Sequence, residues 1–162
     1  MDLALNVLEI IENDPKIGIS EIASLTGSLD EEIQDCINKL EMSGIIRKYK
    51  TVIDWDKVSG GFIYAIIEIK ISLERETGYR VIADRISKFQ EVRSVRLISG
   101  DHDVSLTVRG KSMKEVAFFV AEKIATLPQV RSTATHFVLK TYKEDGVLLR
   151  EPEHAHRLSI VP

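Results

Sequence analysis

Two short stretches carry side chains whose types and spacing could do chemistry. In SLDEEIQDCINKLEMSGIIRKYK, residues 28–50, the carboxylates Asp30, Glu31, Glu32 and Asp35 precede a cationic cluster, Arg47, Lys48 and Lys50, with Tyr49 among them. Guanidinium and ammonium groups neutralise phosphate, and their release of counterions drives sequence-independent binding to nucleic acid. Carboxylates at a helix start do the opposite work: they satisfy the N-terminal dipole, each contributing roughly 0.3–1 kcal/mol, at an end that in other proteins meets phosphate. The second stretch is SGDHD, residues 99–103, where a Gly-Asp turn sets three ionisable side chains beside open backbone amides. A plain hairpin connection needs nothing more than these residues.

Other candidates are weaker. His154 and His156 stand as H-x-H in EPEHAHRLSIVP, but two histidines make a poor metal site, and a tail that is flexible or packed on a partner accounts for them. His136 alternates within an apolar strand, as an interface or core histidine would. The single cysteine, Cys36, excludes an internal disulfide and a cysteine-based zinc cluster. No nucleophile motif, phosphate-binding glycine loop or metal-ligand spacing occurs, so no catalytic residue, no metal and no cofactor is expected.

Composition bounds the class. The chain has 162 residues, 44% hydrophobic and 29% charged, as in a folded globular protein of one ordinary domain or two small ones. No run approaches the roughly 18 apolar residues of a membrane helix. The opening MDLALNVLEIIEND lacks the basic start of a signal peptide, so a cytoplasmic location is expected. The net charge of -3 hides an asymmetry. Residues 1–60 hold six basic and twelve acidic side chains, while the remainder holds sixteen basic and thirteen acidic.

The elements that must position these groups follow from periodicity. Residues 2–13 carry Leu3, Leu5, Val7, Leu8, Ile10 and Ile11 at helical spacing, stopped by Asn13-Asp14-Pro15. A second helix is expected from Ser20 as N-cap to Gly27. A third is expected from Ser28, with Ser28 and Glu31 at capping-box spacing and Ile33, Ile37 and Leu40 as its stripe. Gly44 suits its C-terminus, and IIRKYKTVID has the composition of a strand pair. Three helices and a small hairpin predict a winged helix-turn-helix over residues 1–54. The third helix then presents Gln34, Asn38 and Lys39, and the wing presents Arg47, Lys48, Tyr49 and Lys50. Residues 55–61 read as a linker around Gly60-Gly61.

Residues 62–143 follow a different pattern. FIYAIIEIKIS alternates Ile63, Ala65, Ile67, Ile69 and Ile71 on one face; 77–89 and 111–127 are amphipathic helices, the first through Val81, Ile82, Ile86 and Phe89. VRSVRLIS, DVSLTVR and VRSTATHFVLKTY are strands. The order β-α-β-β-α-β predicts an α+β, ferredoxin-like antiparallel sheet with both helices on one face. Phe62, Tyr64 and Ile66 then point to the other face, and such a patch suggests packing on a second copy. Residues 144–162 are left as a tail.

This plan resembles the leucine-responsive regulator (Lrp/AsnC, feast/famine) family of transcription regulators. The resemblance rests on ISEIASLTG, on NKLEMSGIIRKY at the helix-to-wing junction, on the SGDHD turn and on STATHFVLKTYK, in the family's order across roughly residues 2–143. It implies double-stranded DNA as partner, a homodimer built on the second domain with octamers as the common assembly, and an amino acid or related small effector bound near the turn. On that resemblance Ser99, Gly100, Asp101, His102 and Asp103, with Thr133 and Thr135, are the effector residues. Asp101 or Asp103 would take an ammonium group, and backbone amides the carboxylate. The chain departs from the family where several Arg or Lys precede Leu40-Glu41: here stand Asp35, Cys36, Asn38 and Lys39. An oligomeric sensor without DNA binding of its own is therefore an alternative. Sirohaem decarboxylases share the two-domain plan, and an enzyme of that kind would draft His102, His136, Arg93, Arg96 and Arg109.

Overall fold

The computed structural model describes residues 2–72 and 78–149. They form two compact units, one running to Ile53 and taking in the segment from Lys143, the other running from Asp54 to Tyr142.

The first unit holds three helices, α1 (Leu3–Asn13), α2 (Ile19–Thr26) and α3 (Asp30–Met42). Asp2 caps α1 by accepting the Ala4 amide at 3.1 Å. Val7, Ile11, Ile22, Ala23, Ile33 and Leu40 meet in one buried cluster, one stripe from each helix. The expected starts of the second and third helices are each displaced. Gly18, not Ser20, precedes α2, and Ser20 lies inside it. Gly27 takes a left-handed φ of 70°, and the Ser28 amide donates to Ala23 O. The Ser28 amide is thereby engaged in ending α2 and is not open to a Glu31 carboxylate, and the N-cap of α3 falls one residue later, at Leu29. The reciprocal contact expected of Ser28 and Glu31 is replaced by Glu32 accepting the Leu29 amide at 2.9 Å. Gly44, with φ 71°, closes α3 as expected: its amide reaches Glu41 O and the Ile45 amide reaches Leu40 O, the Schellman pattern.

The expected strand pair at IIRKYKTVID is not formed; residues 47–54 run without strand pairing. The two-stranded hairpin of this unit comes from the other end of the chain, β5 (Lys143–Glu144) and β6 (Val147–Leu148). Asp145 and Gly146, both at positive φ, turn it as an Asp-Gly pair does in tight hairpins. The segment expected as a tail, 144–162, thus begins within this hairpin, while His154 and His156 lie outside the described residues.

The second unit opens with a single 3-10 turn, Trp55–Lys57, whose indole meets Phe62 edge-on at 5.0 Å. Its sheet is β1 (Ile63–Ile71), β2 (Val92–Leu97), β3 (Val104–Gly110) and β4 (Val130–Phe137), in the order β2-β3-β1-β4 with every pair antiparallel. Helices α4 (Tyr79–Ile86) and α5 (Met113–Phe119) are the crossovers; α5 runs on through a π-helical turn, Val120–Ile124. Residue 77, the expected start of α4, lies outside the described residues. Ala65, Ile67, Ile69 and Ile71 are buried with Ile82, Ile86, Leu106, Val116 and Ile124, which is the alternation and the two helical stripes made physical. Val81, expected in the α4 stripe, is instead exposed, and Tyr79 packs against the core.

Candidate functional site

The nominated DNA-facing residues of α3 lie on its exposed side, with Gln34 Nε2 donating to Asn38 Oδ1 at 3.0 Å and Lys39 exposed one residue on. Three acidic side chains of this helix have structural partners. Asp30 accepts the Ser20 hydroxyl and thus links α3 to α2. Glu32 caps the helix, and Glu41 accepts the Tyr49 phenol at 2.9 Å. Burial and that carboxylate together hold the Tyr49 phenol above its ordinary value, so it stays a neutral donor. The first-turn acids therefore read as helix chemistry, and they leave α3 without a single arginine.

The cations gather just beyond. Arg47, Lys48 and Lys50 are all exposed. Arg47 folds over Gly44, where an added Cβ would come within 3.0 Å of the guanidinium carbon. Lys50 Nζ lies 3.3 Å from Asp145 Oδ2 on the β5–β6 turn. Exposed pairs of this kind contribute little stability, on the order of 0–1 kcal/mol.

In the second unit the SGDHD turn is present, with Gly100 at φ 129° and its Cα side open. Its acidic members differ. Asp101 is exposed. Asp103, with a side chain 18% exposed, accepts the Ile71 amide at 2.8 Å and the Tyr79 hydroxyl at 3.5 Å, and lies 3.6 Å from Lys70 Nζ. The Ile71 amide above all, with Lys70 and Tyr79 adding, holds its carboxyl below the usual range against the opposing effect of burial. Asp103 thus ties β1, α4 and β3 together, whereas the Asp101 carboxylate is exposed.

His102 Nδ1 and His136 Nε2 both approach Glu68 Oε2, at 3.6 and 3.2 Å. Glu68 is not among the residues expected at the site; its signal in the sequence is an acidic residue alternating out of an isoleucine strand, on the face that also receives His136. The register separates this trio from two nominated residues. Thr133 and Thr135 pair with Ile69 and Ile67, whose side chains are buried under the helices, so both threonines face away from Glu68. They do not join the His102 side of the turn. Of the residues drafted for tetrapyrrole chemistry, His102 and His136 thus meet at Glu68, whereas Arg109 stacks over Phe62 at 4.0 Å and Arg96 donates to Ser94. A shallow cleft elsewhere in this unit, lined by Phe62, Tyr64, Met113, Val138, Lys140 and Thr141, includes none of the nominated residues.

A group whose pKa is lowered on folding stabilises the fold above its unfolded pKa of about 3.9, and that contribution is lost as pH falls through the folded value. Asp103→Asn should destabilise the protein by roughly 1–3 kcal/mol at pH 7. Urea unfolding should show the difference shrinking below about pH 4. An equal deficit at both pH values would mean that the charge is not what Asp103 contributes.

Comparison with known proteins supplies the remaining observation. Residues 64–148 match the Lrp/AsnC ligand binding domain. The HTH-type transcriptional regulator YugG of Bacillus subtilis is 40% identical over 157 residues, 96% of this chain and 95% of that protein. The HTH-type transcriptional regulator FL11 of Pyrococcus horikoshii is 33% identical over 138 residues, 85% of this chain and 88% of that one. Among solved structures, a transcriptional regulator of Neisseria meningitidis in complex with L-Met superposes with a TM-score of 0.68 at 21% identity, covering 94% of this chain and 96% of that chain. No helix among the described residues is long and apolar enough to cross a membrane.

Proposed function

The chain belongs to the Lrp/AsnC family of transcription regulators, and from that premise we propose a division of labour between its two units. It is a DNA-binding regulator whose first unit meets double-stranded DNA. The observation that carries this is end-to-end similarity to an HTH-type regulator, helices and turn included. Gln34, Asn38 and Lys39 on α3 read base edges and phosphate, and Arg47, Lys48 and Lys50 beyond it neutralise backbone. Retardation of duplex DNA from upstream of its own reading frame is the expected result at low salt. Absence of retardation, with and without amino acids, would overturn this reading. It would favour the sensor without DNA binding, for which the arginine-free α3 is the specific support.

The second unit takes an amino acid or a related small zwitterion at the 99–103 turn. Support comes from the exposed Asp101, the open backbone at Gly100 and a structural relative bound to L-Met. Thermal shift against the twenty amino acids at millimolar concentration should single out one or a few that stabilise, since a ligand at a hundred times its Kd adds about 2.7 kcal/mol. That stabilisation should be lost in Asp101→Asn. A uniform absence of shift would remove the effector site. The same unit assembles as a homodimer through the sheet face that carries Tyr64 and Ile66, the latter 42% exposed, and four such dimers build an octamer. Light scattering at the monomer mass would overturn the assembly.

A further inference from the structure

The four residues at 47–50 are not equally available to phosphate. Tyr49 donates its phenol O–H to Glu41, and Arg47 lies back over Gly44. Lys48 has no ion-pair or hydrogen-bond partner among the described residues, whereas Lys50 is held by Asp145, 95 residues further along the chain. The element that brings Asp145 there is the β5–β6 hairpin, which clusters with the helical unit although it follows the last strand of the other unit. Its register pairs Glu144 with Val147 and Lys143 with Leu148, so Asp145-Gly146 is the tip. An anionic oxygen 3.3 Å from the lysine nitrogen is what a DNA phosphate would supply at the same atom.

We propose that the acidic tip of the C-terminal hairpin is a built-in competitor of DNA phosphate, with the Asp145 carboxylate occupying Lys50 and lowering the affinity of the first unit for nucleic acid. The proposal rests on the assignment of residues 47–50 to the DNA backbone. Both side chains are about three-fifths exposed, so the pair opens readily and DNA displaces it at a cost instead of being excluded. The device tunes affinity; it does not switch it off. It also gives a reason for a lysine on the DNA-facing edge to coexist with an acidic hairpin in a unit already rich in carboxylates.

Asp145 sits at φ 43°, a left-handed position that asparagine tolerates as well as aspartate does, so Asp145→Asn removes the charge and keeps the turn. The experiment is a salt titration of the full-length protein against a fluorescein-labelled random-sequence duplex, read by anisotropy. Asp145→Asn should tighten binding about two- to fivefold at low salt, the most that an exposed pair can withhold. The dependence of log K on log salt should change by well under one for each engaged protomer, because DNA displaces the pair and Lys50 meets phosphate in both proteins. Glu144→Gln removes the same charge one residue away and should leave the affinity nearly unchanged. In a Lys50→Ala background Asp145→Asn should have no effect. If Asp145→Asn leaves binding unaltered, or if Glu144→Gln matches it, the proposal is overturned while the DNA assignment stands. If neither wild type nor Asp145→Asn binds the duplex, both fall together.

Discussion

Ile67→Ala is expected to destabilise the protein by roughly 2–5 kcal/mol, the usual cost of truncating a fully buried isoleucine and leaving its cavity. Ile67 is 0% exposed at the centre of β1, opposite Leu106 on β3 and Thr135 on β4, under the layer formed by Ile82, Ile86 and Ile124. A sheet of four strands with helices on one side has little room to collapse around that gap, because each neighbouring side chain is itself pinned by a strand or a helix. Calorimetry should lower the transition of the second unit by on the order of ten degrees or more, at the scale of a few degrees per kcal/mol for a domain of about this size. Ile66→Ala, one residue along on the opposite face, supplies the contrast. In the isolated chain it should cost well under what Ile67→Ala costs. If the open face is the seam between two copies, its effect appears as a rise in the dimer dissociation constant. A shift below about 1 kcal/mol for Ile67→Ala would mean that β1 is not the spine of the core.

The second unit was legible in the sequence because its determinants are local and periodic. Alternation from Ile63 to Ile71 identifies a strand with one buried face, and the stripes through Ile82 and Ile86 and through Val116, Val120 and Ile124 identify the helices that cover it. What escaped depends on partners distant in the chain or on a shared residue. Ser28 has the hydroxyl of an N-cap, yet its amide goes to Ala23 O and not to the Glu31 carboxylate of a capping box, and the cap falls on the next residue. The segment 47–54 has strand composition but no strand beside it; the hairpin in that unit lies near residue 145, and strand propensity cannot reveal where a partner comes from. The candidate site shows the same division. The turn at 99–103 stands where its glycine predicts, with φ 129° at Gly100, while the threonines offered beside it fall on the wrong face. Only the register, Ile67 against Thr135, decides that, since a one-residue slip would reverse every side chain of β4.

Replacing Arg47 and Lys48 together by alanine is expected to lower DNA affinity on the order of a hundredfold per engaged protomer near 0.1 M salt. The estimate follows from counterion release: each phosphate neutralised contributes about 0.9 to the slope of log K against log salt, which at that concentration is close to tenfold in affinity. Both residues are exposed, and neither is engaged by a carboxylate among the described residues, so their removal leaves the fold of the helical unit intact. The loss should be the same for operator and random duplex, because phosphate contacts carry no sequence information. Lys39→Ala or Gln34→Ala should behave differently. Each stands on the exposed side of α3, which the proposed function assigns to base edges, so its effect should be larger on an operator than on random sequence. The two responses together decide what the carboxylates of α3 leave possible. A uniform loss at 47–48 with no sequence-dependent loss on α3 describes a protein held to DNA by its cationic edge alone, with specificity supplied by the spacing of several copies. A loss confined to the operator would place recognition on the helix despite Asp30, Glu31, Glu32 and Asp35. An unchanged salt slope in Arg47→Ala/Lys48→Ala would remove this edge from the interface altogether.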